Sequence, residues 1–430
     1  MSEAIIMEQS TIALIILAIT LVLFATELFP VCVTAIMSSV AMALTGIISY
    51  QQVVLGLSNN VVVFVFGLAT IGNAMSETGA AQHLGHAIMR HYHGSEKMLL
   101  MLLILLAGVF SMFMSNTTSI VLFMSIVASM AAGSRGRITA KGSYMAMGIA
   151  TVAGGGCTLI GSTTQLAAQG LLIGYGVRPM AMFDLMKPGI FVFAALLLYY
   201  YFIGYDLQKK VLVEAEADPG TAQEAMTIPQ GAVSLKTWTP MIILAVCIAL
   251  TIVGWANIAI VAILGALACV VTKCISVQKM FAQSDWNTII MIAGSIGFAA
   301  GIEKSGAGAL MASTAIDIVG SSTHPWAYLA ALVCIGTIMT NIMANISTVV
   351  ILTPIAFSLA QQMGCDPMPF MIGVIWAANM PYSTPIGASV ITMTMTAGYR
   401  FKDYTKIGLP YNIVACAVVI ISVPLLFKFH

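Results

Sequence analysis

Two apolar segments, residues 98–132 and 326–360, are each too long for a single bilayer crossing, and each carries a polar cluster at its centre. The clusters are Ser115-Asn116-Thr117-Thr118 and Asn341 followed by Asn345-Ile346-Ser347-Thr348. Unpaired backbone N–H and C=O groups are costly in hydrocarbon, so a polar turn at membrane depth must be bonded inside protein or line a cavity. Both segments therefore read as re-entrant helical hairpins.

Lipid has to be the solvent for most of this chain. It is 60% hydrophobic and 8% charged, against about 25% charged residues in soluble domains. A net charge of +1 gives no footing for a nucleic-acid partner. The 8 Cys lie mostly in apolar runs without a C-x-x-C pair and read as buried, reduced small hydrophobes. Residues 1–10 lack a basic stretch, and the first apolar run is long enough to span, so no cleavable signal is expected.

A crossing takes about 20 largely apolar residues. In the first half the candidates are 11–29, 31–49, 58–76, a long stretch 144–174, and 189–204. In the second they are 238–253, 256–273, 286–302, a long stretch 369–397, and 410–427. The two long stretches contain Gly154-Gly155-Gly156 through Gly161, and Asn379-Met380-Pro381 through Gly387. Glycine and proline there predict helices broken at membrane depth.

The halves match in order. Glu77 pairs with Glu303, Asn116 with Asn345, the first break with the second, and Asp184-x-x-Lys187-x-Gly189 with Asp403-x-x-Lys406-x-Gly408. An odd number of crossings separates the members of a pair, so the repeats are expected to be inverted, a secondary-transporter architecture. The expected fold is an all-α polytopic membrane protein. Its first inverted repeat is 1–204, with hairpin 98–132 and broken helix 144–174. A linker at 205–237 leads to the second repeat, 238–430, with hairpin 326–360 and broken helix 369–397.

With hairpins that do not cross, only Arg178, Lys187, Lys304 and Lys428 fall on one side, and the other 13 of the 17 Lys and Arg share the opposite side. The positive-inside rule makes the richer side cytoplasmic. The linker is then cytoplasmic and both termini are extracytoplasmic. Residues 78–97 and 304–324 read as paired interfacial helices.

Helices that restart after Asn116, Asn345 and the two breaks point positive N-terminal ends at one centre, which suits an anion without any cationic side chain. The preceding half-helices end in free carbonyls, which suit Na+ together with Asn and Ser oxygens. The alternative is that these Ser, Thr and Asn merely bond across helices. Paired tips beside paired breaks favour the transport site.

At the tips the chain resembles the divalent-anion:sodium symporter (DASS) family, with two Ser-Asn-Thr tips, each followed by a broken helix with a Thr-Pro-like turn. Ser115-Asn116-Thr117 matches the first tip, and Ser111 matches a family sodium-site serine. Gly161, Ser162 and Thr163 occupy the paired break, and the stretch from Glu27 to Ala35 looks like the family's Thr-Glu-x-x-Pro-x-x-x-Thr-Ala opening. The resemblance covers about residues 20–420. The second tip departs from it. Ala344-Asn345-Ile346 keeps only the Asn, although Thr340 and Ser383-Thr384-Pro385 fit. The first break has Thr163-Thr164-Gln165 where the family often has Pro-Pro-Asn.

The resemblance implies an elevator-type carrier with scaffold and transport domains in a multi-pass cytoplasmic membrane protein, a homodimer, and Na+ as coupling ion without an organic cofactor. It implies a small di- or tricarboxylate, such as succinate or citrate, or a similar divalent anion as cargo. Asn116, Thr117, Ser162, Thr163, Asn345, Thr384 and Pro385 are the expected substrate contacts. Ser111, Ser115, Asn116, Gly161, Thr340, Asn345 and Gly387 are the expected sodium contacts. Na+ symport and Na+-independent anion exchange both stay open.

Other features read more plainly. His83-x-x-His86 with His91-x-His93 fits an interfacial amphipathic helix better than a metal site. Glu27, Glu77 and Glu303 sit near span ends, where caps and interface contacts are expected, and Asp184 with Lys187 and Asp403 with Lys406 read as membrane-edge pairs. No Asp or Glu falls in the expected midplane, which argues against a proton antiporter. Broken helices around a closed site favour a carrier over a channel. No HExxH or GxSxG motif supports an intramembrane enzyme.

Overall fold

The computed structural model describes residues 2–26, 28–79, 95–133, 141–215, 235–253, 255–308, 310 and 324–429, and every element among them is helical. The first series is α1 (Ser2–Thr26), α2 (Val31–Leu44), a short α3 (Tyr50–Leu55) with a 3-10 turn (Gly56–Ser58), and α4 (Asn60–Glu77). A reciprocal cap between Ser49 and Gln52 starts α3. The first hairpin follows as α5 (Glu96–Ser111) and α6 (Asn116–Gly133). The first broken helix is α7 (Tyr144–Gly155) with α8 (Thr163–Gly174). Next comes α9 (Met186–Tyr199), which runs through a wide turn (Tyr200–Gly204) into α10 (Tyr205–Ala215).

The second series opens with α11 (Leu235–Val253), α12 (Ile258–Val271), a short α13 (Val277–Ala282) and α14 (Trp286–Lys304). Side chains of Asn257, Ser276 and Asp285 cap α12, α13 and α14. The second hairpin is α15 (Pro325–Thr340) with α16 (Asn345–Gln362). The second broken helix is α17 (Met368–Ala378) with the short α18 (Ser389–Met393), and α19 (Phe401–Leu426) closes the chain.

Among the described residues the helices stop and restart at both polar clusters and at both glycine-containing stretches. The expected boundary at residue 204 lies inside continuous helix, because α9 carries on to Ala215 before the linker. Residues 205–210 still suit a helix: Tyr205, Gln208 and Lys209 bond or stack on neighbours. Among the described residues four helical stretches are long and apolar enough to cross a membrane: 50–75, 186–210, 286–304 and 401–426. Shorter apolar helical runs are 9–24, 32–44, 116–128, 144–155, 237–251, 259–271, 325–340 and 368–378. Glu27, the histidine cluster 83–93 and most of 78–97, 216–234 and 304–324 lie outside the described residues.

Small residues set the close approach of the first-series and second-series helices. Along α14, a Cβ on Gly294 would stand 2.7 Å from the Ala35 carbonyl carbon, and one on Gly297 would stand 2.1 Å from Ser39 Oγ. α4 and α12 meet the same way through Gly67 and Ala262. The face of α8 carrying Gly170 and Gly174 lies against Ile292 and Ala299 of α14. Glu77, at the end of α4, is tied to α13 by Lys279 Nζ at 2.5 Å and to Gln283 Nε2 at 2.7 Å. Asp184 accepts from the Ala181 N–H and from Lys187, and Asp403 accepts from the Arg400 N–H, so both aspartates serve at helix starts.

Candidate functional site

The chain turns through Met112–Ser115 between α5 and α6, and Ser115 Oγ accepts from the Thr118 N–H at the start of α6. This elbow is held against the first break. The Asn116 N–H donates to the Gly161 carbonyl at 3.2 Å. One Asn116 amide atom stands 2.6 Å from Ser111 Oγ, 2.8 Å from the Gly161 carbonyl and 3.2 Å from the Thr151 carbonyl. The amide nitrogen satisfies this cluster by donating, and the amide oxygen satisfies it when a cation sits among the oxygens. Buried Gln165 donates to the Gly155 carbonyl at 2.9 Å and so fixes the free end of α7.

The second elbow repeats the arrangement. The Asn345 N–H donates to the Gly387 carbonyl at 3.3 Å. Thr340 Oγ1 lies 2.7 Å from both Asn345 Oδ1 and the Ala378 carbonyl. Asn341 braces the break from behind. Its amide donates to Thr337 and Met380 carbonyls and accepts from the Ser383 N–H. Neither break glycine has room for a side chain: a Cβ at Gly161 would lie 2.3 Å from the Gly155 carbonyl oxygen, and one at Gly387 would lie 1.9 Å from the Thr340 carbonyl oxygen.

Both elbows and both breaks face one cavity of about 690 Å³. Of the expected substrate contacts, Asn116, Thr117, Ser162, Thr163 and Asn345 line it. Thr384 and Pro385 do not. The Thr384 hydroxyl is taken by the Asn341 carbonyl, and Pro385 is buried with its carbonyl bonded to Thr392. The chain reaches the wall just beyond them, at Ile386–Val390. Of the expected sodium contacts, Ser115, Asn116, Gly161, Asn345 and Gly387 line the cavity, while Ser111 and Thr340 are fully buried beneath the tips.

Residues at span ends complete the wall. Asn73 on α4, with Gln283, Asp285 and Thr288 at the start of α14, were not expected there. Their only signal in the sequence is a polar residue within one span and a helix cap before another. Asp285 is the one acidic residue on the wall among the described residues, and it is occupied as a cap by the Thr288 N–H and hydroxyl. Among the described residues no Lys or Arg lines the cavity. Positive potential comes instead from the N-terminal ends of α6, α8 and α16, which all begin at its wall. Carbonyl ends of α5, α7, α15 and α17 lie next to them. The site can therefore hold an anion beside a small cation. Among the described residues no cluster of three or more His, Cys, Asp or Glu could hold a metal.

The chain matches the family model described as "Citrate transporter" over residues 21–349 and 315–430. It is 33% identical over 158 residues to the uncharacterized transporter YfbS of Escherichia coli, which covers 36% of this chain and 26% of that protein. It is 28% identical over 139 residues to the Na(+)/citrate cotransporter of Rattus norvegicus, 32% of this chain and 24% of that one. The matched stretch thus spans about a quarter of each of these relatives. In fold it is similar to the YdaH transporter of Alcanivorax borkumensis, with a TM-score of 0.64 at 13% identity over 90% of this chain and 88% of that one.

Proposed function

The chain belongs to the citrate transporter family, a family of multi-pass membrane transporters rather than enzymes, and on that premise we propose that it is a secondary carrier. It moves a small carboxylate anion across the cytoplasmic membrane together with Na+. Di- and tricarboxylates are the class the resemblance brings. The observation that carries this reading is the single cavity onto which two hairpin elbows and two helix breaks all open. In that cavity an anion finds hydroxyls and helix N-termini with no fixed cation, so Na+ bound at the adjoining carbonyl ends lowers its cost of burial.

Two oxygen clusters fit Na+ as co-transported cargo. Asn116, Gly161, Ser111 and the Thr151 carbonyl form one. Asn345, Gly387, Thr340 and the Ala378 carbonyl form the other. Backbone and amide oxygens of this kind suit a hard monovalent cation.

An inverted-repeat elevator is supported by pairing at several places besides the tips. Ser49 and Ser276 cap matching short helices, and Gly79 and Gly306 both turn at positive φ after matching long ones. In this reading α1–α4 and α11–α14 form the scaffold. The hairpins, the broken helices, α9 and α19 form the moving part, and the α8–α14 face is the sliding contact. The two repeats flank the linker that follows Ala215, the termini are extracytoplasmic, and the carrier is a homodimer.

Uptake of labelled citrate and succinate into proteoliposomes tests the function. An inward Na+ gradient should drive accumulation above the level reached with K+. Equal uptake under both conditions, dependent on a trapped internal anion, would replace symport by exchange. No uptake of citrate, succinate or a small monocarboxylate such as 3-methylbutanoate under any gradient would overturn the carrier reading.

A further inference from the structure

The two elbow-to-break bonds, Asn116 to Gly161 and Asn345 to Gly387, set a common register from which the cavity walls can be compared residue by residue. The walls are unlike. Next to the tip asparagines, Ser115 and Thr117 stand on one side, and Ala344 and Ile346 on the other. Beyond the break glycines, Ser162 and Thr164 on one side face Ala388 and Val390 on the other. Thr118 lines the cavity, whereas its counterpart Ser347 is buried and spends its hydroxyl on the Phe24 carbonyl. Among the described lining residues, the one matched pair with a hydroxyl on both sides is Thr163 and Ser389.

We propose that this cavity is polarised and takes a small monoanion, with its carboxylate against Thr117 and Thr163 and an apolar body against Ile346 and Ile386. The proposal rests on the carrier reading and narrows its cargo. The hydroxyls of Thr117 and Thr163 have no partner among the described residues, and they flank the N-terminal ends of α6 and α8. They can donate to an oxyanion where the helix ends already favour negative charge. On the opposite wall Ile386 is 58% exposed, more than its lining counterpart Ile160, and Ile346 is half-buried. A second carboxylate placed there loses water against alkyl groups that cannot donate to it. An alkyl or aryl group placed there gains from burial instead.

Calorimetric binding to the purified protein in Na+ tests this, with 3-methylbutanoate, succinate and citrate as probes. The wild-type chain should bind 3-methylbutanoate at least about tenfold more tightly than succinate or citrate. The double variant A344S/I346T restores both missing hydroxyls and should strengthen succinate binding about tenfold. Thr117→Val should weaken all three ligands together. Tighter binding of succinate or citrate by the wild-type chain overturns the proposal and leaves the carrier reading intact. It would mean that the α16 N-terminus, where Ala344 makes no side-chain cap, holds the second carboxylate. No binding of any of the three anions in Na+ would sink the carrier reading itself. Since the wild-type comparison decides, a misfolded variant cannot leave the question open.

Discussion

The backbone N–H of Asn116 donates to the carbonyl of Gly161, 3.2 Å away. One bond thus ties the elbow of a hairpin to the gap in a broken helix 45 residues further along the chain. It leaves the Asn116 amide against the Ser111 hydroxyl and closes the floor of the cavity.

Adding one methyl group at that contact should separate transport from folding. A Cβ at Gly161 or at Gly387 meets backbone oxygens, which cannot rotate away. Gly161→Ala and Gly387→Ala should each cost about 1–3 kcal/mol and reduce uptake at least about tenfold, since displaced oxygens alter a preorganised site. Circular dichroism should show retained helix, and labelled-anion uptake gives the activity.

The brace behind the second break should matter for stability. Ser383 and Asn412 are both buried and share a hydrogen bond of 2.6 Å. Ser383→Ala leaves the Asn412 amide without that partner and should cost about 1–3 kcal/mol, read as a lowered melting temperature in detergent.

Glu77 should give a small, pH-dependent contribution. Its carboxyl is held below the usual carboxylate range, chiefly by the hydrogen bond from Lys279, with Gln283 helping. A depressed folded-state value stabilises above the ordinary carboxylate pKa and stops doing so as pH falls through the depressed value. The pair is partly exposed, so the effect should stay below about 1 kcal/mol. Glu77→Gln should melt slightly below wild type at neutral pH and level with it in acid.

The cavity reaches Asn73, Gln283 and Asp285, at the ends of α4 and α14 that lie beside Lys279. In the topology proposed from the positive-inside rule, that side faces the cytoplasm. In a cysteine-free background, Asp285→Cys should therefore react with an impermeant maleimide in inside-out vesicles and stay unlabelled in right-side-out ones. Labelling in the opposite orientation would invert the topology.

The hairpins and breaks were legible because Asn, Gly and Pro at the centre of long apolar runs leave few physical options. Their ends at Ser111, Asn116, Thr340 and Asn345 follow from the same residues. Tertiary effects hid the rest. Asp285 and Gln283 look like an ordinary helix start, and only the packing of α4 and α14 on α8 brings them to the cavity. Thr384 and Pro385 have the right chemistry, but Asn341 claims the threonine hydroxyl and turns the wall over to Ile386. Continuous helix across residue 204 was hidden by a charge-rich stretch that the helix tolerates once outside the apolar layer.

The central claim is that the two elbows form one binding site. Calorimetry on Asn116→Ala and Asn345→Ala, separately, with a carboxylate that the wild-type chain binds in Na+, tests it most directly. Each variant should stay folded and lose binding of that same ligand at least about tenfold. Wild-type affinity in either variant would mean that its elbow is not part of the site.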